Sequence, residues 1–295
     1  MPPPALPPAP HVLAVALTKG GTGKTTTAAN LAAELAALLS ANGPPARRVL
    51  AVDADPQDQL SGALGADVGA RQASPGLAGV LAATDSERAG VAQRALVRGV
   101  RPGLDVCPAG AGLATESARL GADPAAGLLA VGDAVEALVG AGEGVAVVVV
   151  DVPPGWGPLA LGVLAASDAV LAPVSLQPLA LQALGTFVGH LTGVQRTRER
   201  FGGERLPVLS QIVPTMYDSR PVAHTQVLEA IRAAAAEIDR GDGRAPGVAE
   251  PVPHSVRVQE AAALGRTVRE HARKGHASAG AYAALARLVA ADLGL

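Results

Sequence analysis

Short apolar runs alternate along the chain with longer segments that are rich in alanine and leucine. The runs predict strands covered on both faces, because such strands need no alternation of polar and apolar residues. They lie at residues 11–17, 48–55, 103–109, 145–155, 168–175 and 206–215. The longer segments predict helices, and these lie near residues 25–39, 124–140, 178–194, 221–238 and 278–293.

This alternation predicts the fold class: α/β, with a single doubly wound domain, a mostly parallel sheet and helices on both faces. We expect the most apolar run, residues 145–155, at the centre of the sheet. Ligands bind to such sheets beyond the carboxyl ends of the strands. Because neither a repeat nor a linker divides the chain, residues 11–295 are predicted to form one domain.

The N-terminus has a different composition. MPPPALPPAP contains six prolines in ten residues, and it lacks the basic start and the apolar centre of a secretory signal. It predicts a flexible, extended tail at residues 1–10. Elsewhere no apolar run reaches the length of about 18 residues that crosses a bilayer, so no membrane partner is expected.

Charge and cysteine content narrow the function classes. The 295 residues have a formal net charge of only −2, which gives no general case for a nucleic-acid partner. Residues 190–295 nevertheless carry 14 Lys+Arg against 11 Asp+Glu, so any basic face is expected in the C-terminal third. The single cysteine, Cys107, excludes an intrachain disulfide framework and a four-cysteine cluster within one chain. This composition indicates a reducing cytosol.

A glycine-rich stretch, TKGGTGKTTT (18–27), joins the first predicted strand to the first predicted helix. Strand, glycine loop and helix in this order predict a phosphate-binding loop, where backbone N–H groups and the positive end of the helix face the anion. Lys24 is expected to bridge the β- and γ-phosphates, and the Thr25 hydroxyl to bind Mg²⁺. The predicted nucleotide-binding residues of this loop are Gly20, Gly21, Thr22, Gly23, Lys24, Thr25 and Thr26.

The loop departs from the common pattern GxxxxGK[ST] at its start. Thr18 stands at the position of the first glycine, and Lys19 follows it. The chain has only three lysines against 21 arginines, and two of the three lie in this loop. This bias suggests a chemical role that arginine cannot take over.

Three aspartates at the ends of predicted strands complete the nucleotide site. Asp151 ends the most apolar strand, as the metal-supporting acid of phosphate-loop enzymes does. Asp53 and Asp55 end another strand at the same edge of the sheet. One of these two is expected to position the attacking water, with Asp55 preferred, and the other to hold the magnesium shell.

Five segments occur in a characteristic order: KGGTGKTTT, VDADPQ, VVVVDVPPG, PTMYDSR and VPHSVRVQEA. Together they resemble the deviant Walker A ATPases of the ParA/Soj chromosome and plasmid partition group, in the ParA/MinD superfamily. The resemblance covers residues 11 to 293. It implies a P-loop NTPase domain that binds ATP, ADP and Mg²⁺, and a slow ATPase that a partner stimulates.

The resemblance also implies roles for individual residues. ATP is sandwiched between two subunits of a homodimer, and Lys19 reaches the phosphates of the partner subunit. Catalysis is thus assigned to Lys19, Lys24 and Asp55, and magnesium binding to Thr25, Asp53 and Asp151. The adenine pocket is implied at Pro214, Met216 and Pro253.

Further implied partners are non-specific double-stranded DNA, bound through Arg220 and Arg257, and a ParB-like centromere-binding protein. The ATP-bound dimer is expected to coat the nucleoid in the cytoplasm and to leave it after hydrolysis. Because a dimer doubles a weak basic patch, a slightly acidic chain could still bind DNA in this way.

Other members of the superfamily remain as alternatives. A MinD-like or other cargo-positioning ATPase shares the loop, but the membrane-binding type uses a basic amphipathic C-terminal helix. Residues 279–295 contain one arginine and one aspartate, and predict a packing helix instead. An iron–sulfur electron carrier needs two cysteines per subunit, whereas this chain has one. A tyrosine autokinase needs a tyrosine-rich tail, whereas this chain has two tyrosines in all. A nucleotide-switched scaffold without hydrolysis is disfavoured by Asp55 and Asp151.

Overall fold

The computed structural model describes residues 9–41, 47–200 and 206–295. Residues 1–8 lie outside the described part, so the predicted tail at 1–10 stays a prediction. In the described ranges, strands alternate with helices as the apolar pattern indicates.

Eight strands form a single sheet. Its order is β3-β4-β2-β5-β1-β6-β7-β8, and every pair is parallel except the antiparallel β3–β4 pair at one edge. The strands are β1 (His11–Val15), β2 (Arg48–Asp53), β3 (Val97–Arg101), β4 (Leu104–Cys107), β5 (Val145–Asp151), β6 (Ala169–Ser175), β7 (Val208–Thr215) and β8 (Gly247–Val248). The prediction of a mostly parallel sheet with the most apolar run at its centre is confirmed, although β5 covers only residues 145–151 of the predicted 145–155.

Thirteen helices are present in the described ranges, and the sheet has helices on both faces. They are α1 (Lys24–Ser40), α2 (Gln59–Ala63), α3 (Val68–Ala73), α4 (Gly76–Ala82), α5 (Asp85–Ala95), α6 (Leu113–Ala122), α7 (Pro124–Ala141), α8 (Pro158–Ala166), α9 (Ala180–Arg200), α10 (Val222–Ala236), α11 (Val256–Ala263), α12 (Val268–His271) and α13 (Ala277–Leu293). The pattern of the sequence did not predict helices α2 to α6, α8, α11 and α12 or the edge strands β3 and β8. Most of these elements are too short to repeat a helical or strand spacing more than once or twice.

The two faces of the sheet have separate hydrophobic cores. Along β1, Leu13 and Val15 belong to the core that α1 and α13 cover, whereas Ala14 belongs to the core on the opposite face. Side chains of α4 to α10 fill that second core. This arrangement follows from the alternation of side chains along a strand, and it explains why the central strands are apolar throughout.

A buried ion pair fastens the strands β2 and β4 at their amino ends. The Arg48 Nη2 atom lies 2.5 Å from Asp105 Oδ1, and the Asp105 residue is only 1 % exposed. Asp105 also accepts a hydrogen bond of 2.7 Å from the backbone N–H of Gly99 on β3. Removing this carboxylate would leave a partly buried guanidinium and a backbone donor without their acceptor.

We therefore expect Asp105→Ala to lower the free energy of unfolding by about 3 kcal/mol, measured by urea denaturation. The matched control is Asp85→Ala, because Asp85 also pairs with an arginine but its side chain is 94 % exposed. The control should change stability by less than about 0.5 kcal/mol. Equal effects of the two substitutions would show that burial does not set the strength of the Arg48–Asp105 pair.

Candidate functional site

The glycine-rich loop connects β1 to α1 at the carboxyl edge of the sheet. Gly21 and Gly23 have φ angles of 71° and 87°, in the left-handed region that favours glycine. Gly23 is the N-cap of α1, and no side chain caps this helix end. The N–H groups of its first turn are therefore left for a ligand, and the positive end of the helix favours an anion.

Lys24 lies across this loop. Its side-chain Nζ donates a hydrogen bond of 3.2 Å to the carbonyl oxygen of Lys19, and the residue is only 7 % exposed. Burial lowers the pKa of Lys24, while the negative charges of Asp151 and Asp55 oppose that shift. The structure thus brings together Lys24 and two of the predicted acidic residues, and Lys19 lies half-buried at the start of the same loop.

Asp151 is the buried acid of the site. It ends β5, is 1 % exposed, and neither carboxylate oxygen has a hydrogen-bond partner in the described part of the chain. Burial raises the pKa of Asp151 to about 7. The Thr25 hydroxyl and the Lys24 charge counteract part of that rise, although the Thr25 contact does not meet strict hydrogen-bond geometry.

These side chains fit a magnesium ion. A buried carboxylate without a partner is costly, and Mg²⁺ prefers oxygen ligands such as the Asp151 carboxylate and the Thr25 hydroxyl. Within the described ranges, no group of three or more His, Cys, Asp or Glu side chains forms a metal cage. Mg²⁺ is usually bound by one or two carboxylates together with phosphates of the substrate.

Asp53 has a different geometry from the one expected of a metal ligand. It is fully buried, and its two oxygens accept hydrogen bonds from the backbone N–H groups of Asp55 (3.1 Å) and Leu60 (2.8 Å). Burial, followed by the charges of Asp151 and Asp58, raises its pKa well above the usual value. Asp53 therefore holds the loop that carries Asp55, and its magnesium role stays a prediction.

The end of β7 lies beside the glycine-rich loop. The Thr215 hydroxyl donates a hydrogen bond of 2.8 Å to the Thr22 carbonyl oxygen. Residues 214–217 run beside residues 252–254, since the Tyr217 N–H donates to the Val252 carbonyl oxygen at 3.1 Å. Pro214, Met216 and Pro253 thus lie at this sheet edge, and their contact with adenine stays a prediction.

Two residues that follow Asp151, Gly155 and Trp156, also shape the site, and their contacts were not predicted from the sequence. The Gly155 N–H donates a hydrogen bond of 3.0 Å to the Thr18 carbonyl oxygen, so the loop after Asp151 is tied to the glycine-rich loop. Next to it, the Trp156 ring lies 5.6 Å from Phe187 and 4.3 Å from His190, measured between ring centroids. Trp156 is the only tryptophan of the chain, and this was the one signal that could have drawn attention to the loop.

The two predicted DNA-binding arginines lie on neighbouring segments. Arg220 follows β7 and has a side chain 88 % exposed, while Arg257 lies in the first turn of α11 and is 61 % exposed. Each pairs with an acidic neighbour: Arg220 with Asp218 at 2.6 Å and Arg257 with Glu260 at 2.8 Å. The structure brings both to one edge of the sheet, and contact with DNA stays a prediction.

Comparisons with known proteins agree with this site. The sequence model of the AAA domain family matches residues 10–201. The chain is 38 % identical over 281 residues to the chromosome partitioning protein ParA of Caulobacter vibrioides, covering 95 % of this chain and 93 % of the relative. It is 34 % identical over 260 residues to the chromosome-partitioning ATPase Soj of Thermus thermophilus, covering 88 % of each chain.

Solved structures give the same picture. That of cobyrinic acid a,c-diamide synthase from Mycobacterium smegmatis, with a bound ATP analogue and magnesium, has a TM-score of 0.69 and 29 % identity, and the match covers 96 % of this chain and 95 % of that one. The resemblance to P-loop ATPases that bind nucleotide and magnesium is thereby confirmed.

Among the described residues, no helix is long and apolar enough to cross a membrane.

The buried Asp151 carboxylate leads to a pH-dependent prediction. Its pKa is about 7 in the folded chain against an ordinary 3.8, so the folded state keeps this proton up to a higher pH than the unfolded state does. Stability is therefore lost as pH rises from about 4 to 7, and the cost is complete above pH 7. The unfolding free energy of Asp151→Asn minus that of wild type should therefore be about 2 kcal/mol larger at pH 8 than at pH 5.

The measurement is chemical denaturation without nucleotide and with a chelator, so that no cation compensates the charge. Asp85→Asn is the control, because the Asp85 side chain is 94 % exposed. A difference between Asp151→Asn and wild type that stays constant from pH 5 to pH 8 would contradict the assignment of an uncompensated charge to Asp151.

Proposed function

This chain belongs to the AAA domain family and, within it, to the ParA and Soj partition ATPases, and we propose that it separates DNA copies through an ATP-dependent dimer. In this proposal ATP and Mg²⁺ join two subunits, the dimer binds duplex DNA without sequence preference, and hydrolysis releases it. A ParB-like centromere-binding protein is the proposed stimulating partner. The action would take place on the nucleoid, in the cytoplasm.

One observation carries the ATPase chemistry. Asp151 lies buried and without a hydrogen-bond partner among the described residues, beside a loop that offers Lys24 and a free helix end. The Asp151 carboxylate can bind a cation, and Lys24 with the free helix end can bind an anion, which together fit a magnesium nucleotide. The ion would be held by Thr25 and Asp151 and, when bound, would neutralise charge that develops on the phosphates.

The protein groups would each contribute a defined interaction. Lys24 would offset negative charge on the β- and γ-phosphates, where a buried cation acts more strongly than in water. Asp55 would orient the attacking water from a loop that Asp53 fixes through two backbone hydrogen bonds. A partner that completes the site would raise the rate.

Lys19 would act in the second subunit of the dimer. It lies on a shallow pocket of about 290 Å³ formed with Thr18, Gln182 and Leu179. Leu179 is 68 % exposed, and the nearby Leu181 is 42 % exposed. Exposed large apolar side chains beside a phosphate-binding loop support a surface that another subunit covers, with Lys19 supplying charge to the partner's phosphates as an arginine finger does.

A membrane-binding role of the MinD type has less support. The C-terminal helix α13 is a core helix, because Tyr282, Leu285 and Val289 are buried among the residues that pack on α1. Releasing it to a membrane would expose that core. The position of Arg220 and Arg257 on one edge instead supports a polyanion as the surface to which the dimer binds.

The dimer proposal predicts that Lys19→Ala abolishes ATP-dependent dimerisation and leaves nucleotide binding by the monomer. Because the partner's phosphates lose a positive charge, the mass measured by light scattering with ATP should stay that of the monomer. Lys274→Ala is the matched control, since it removes the lysine that lies outside the loop. An unchanged mass for Lys19→Ala with ATP would refute the role in the partner's site.

The DNA proposal predicts that wild type binds non-specific duplex DNA at low salt with ATP, and more weakly with ADP or without nucleotide. The double variant Arg220→Ala/Arg257→Ala should lose about tenfold or more in affinity, because each subunit loses two phosphate contacts. Gel-shift titration measures this. Arg244→Ala is the matched control, since Arg244 is also exposed and paired, with Asp242 at 2.6 Å. Absence of binding under every condition would leave only the ATPase part of the proposal.

A further inference from the structure

Arg101 is an arginine of the edge strand β3 that joins three other segments. Its Nη1 atom donates a hydrogen bond to the carbonyl oxygen of Leu64, and its Nη2 atom donates to the carbonyl oxygen of Gly265 at 3.2 Å. Its Nε and Nη2 atoms also contact the two oxygens of Glu270, each at 2.7 Å. The Arg101 side chain is only 14 % exposed, whereas that of Glu270 is 40 % exposed.

The segments that Arg101 joins are in direct backbone contact. Gly65 and Gly265 both have left-handed φ angles, of 67° and 63°. A Cβ atom at Gly265 would lie 2.7 Å from Gly65 Cα, and one at Gly65 would clash with the Gly265 carbonyl oxygen. The two turns can approach in this way only because both are glycine. We name the contact of Arg101 with Leu64, Gly265 and Glu270 the Arg101 clasp.

One side of the Arg101 clasp belongs to the nucleotide site. Leu64 and Gly65 follow α2, which begins directly after the loop that carries Asp55. Asp53 holds the start of α2 through its hydrogen bond with the Leu60 N–H, at 2.8 Å. Displacement of this loop by a bound nucleotide would therefore move α2 and the turn at Gly65 with it.

The other side belongs to the segment that carries Arg257. Gly265 joins α11, which carries Arg257, to α12, which contains Glu270. A cavity of about 700 Å³ lies between Thr25 and Thr26 on one side and Ala262 and Ala263 on the other. This space separates α11 from the nucleotide-binding loop, and α2 with the two glycine turns forms one connection between them.

We propose that Arg101 is a positioning residue that makes the α11 segment follow the nucleotide state of the loop at residues 53–65. The inference rests on the proposed function for its meaning, since α11 carries the arginine assigned to DNA. The coupling is carried by the three contacts of Arg101 and by the close packing of Gly65 on Gly265. Arg101 would thus have a regulatory role, although it lies on the edge strand β3, away from both proposed ligand sites.

The test compares Arg101→Ala with Arg98→Ala. Arg98 is a matched control, because it lies on the same strand and donates its hydrogen bond to the Ala141 carbonyl oxygen, away from the clasp. Hydrogen exchange of the backbone amides of residues 256–266 is measured with ATP and with ADP. We expect the ATP-to-ADP difference in exchange rate to shrink at least about fivefold in Arg101→Ala and to persist in Arg98→Ala.

ATP-dependent dimerisation and DNA affinity are measured on the same variants. Arg101→Ala should still dimerise with ATP, while its preference for DNA in the ATP state falls by about five- to tenfold. An exchange difference in Arg101→Ala equal to that of wild type would overturn the inference, and so would the absence of any ATP-dependent difference in wild type. Failure of wild type to bind DNA, with the exchange difference still dependent on Arg101, would overturn the DNA role of the proposed function alone.

Thermal unfolding checks that the variants are folded. If Arg101→Ala does not fold, Arg101→Lys replaces it, because a lysine keeps the charge and the stem but cannot reach two carbonyl oxygens and a carboxylate with one planar group. A folded Arg101→Lys with full ATP-dependent exchange at residues 256–266 would also overturn the inference.

Discussion

The buried carboxylate of Asp151 is the constraint on which the site depends. It stands at the end of the central strand β5, and no hydrogen bond in the described part of the chain compensates it. A charge in this position is tolerated only if a cation can approach it or if it takes up a proton. The free amino end of α1 and the Lys24 side chain lie beside it, so the site is built for a ligand that brings a metal ion and phosphates together.

The other acidic residues have different tasks because their surroundings differ. Asp53 lies opposite Asp151 in the register of β2 and β5, yet both of its oxygens are occupied by backbone donors. Asp55 lies two residues further on, half-buried on the loop that Asp53 holds. Asp53 thus supports the loop, whereas the Asp55 carboxylate accepts a hydrogen bond of 3.0 Å from the Gln57 N–H within it.

The same loop leads into α2. Helix α2 ends at a turn that packs backbone to backbone on the turn after α11, and Arg101 bonds to both turns. Helix α12 is also joined to α1, since the Asn30 side chain accepts a hydrogen bond of 2.9 Å from the Val268 N–H. The C-terminal third, which carries the excess of arginine, is in this way connected to the nucleotide-binding elements at two places.

Local sequence determined the parallel α/β sheet, the glycine-rich loop and the aspartates at the strand ends, because continuous apolar runs and a glycine-rich turn are properties of neighbouring residues. Only the tertiary structure decided that Asp53 supports a loop, that Thr215 bonds to Thr22 and that Arg101 joins three segments. Arg101 and Glu270 are 169 residues apart in the chain, and Thr215 and Thr22 are 193 apart. No local pattern encodes such contacts, because they form only after folding has brought distant segments together.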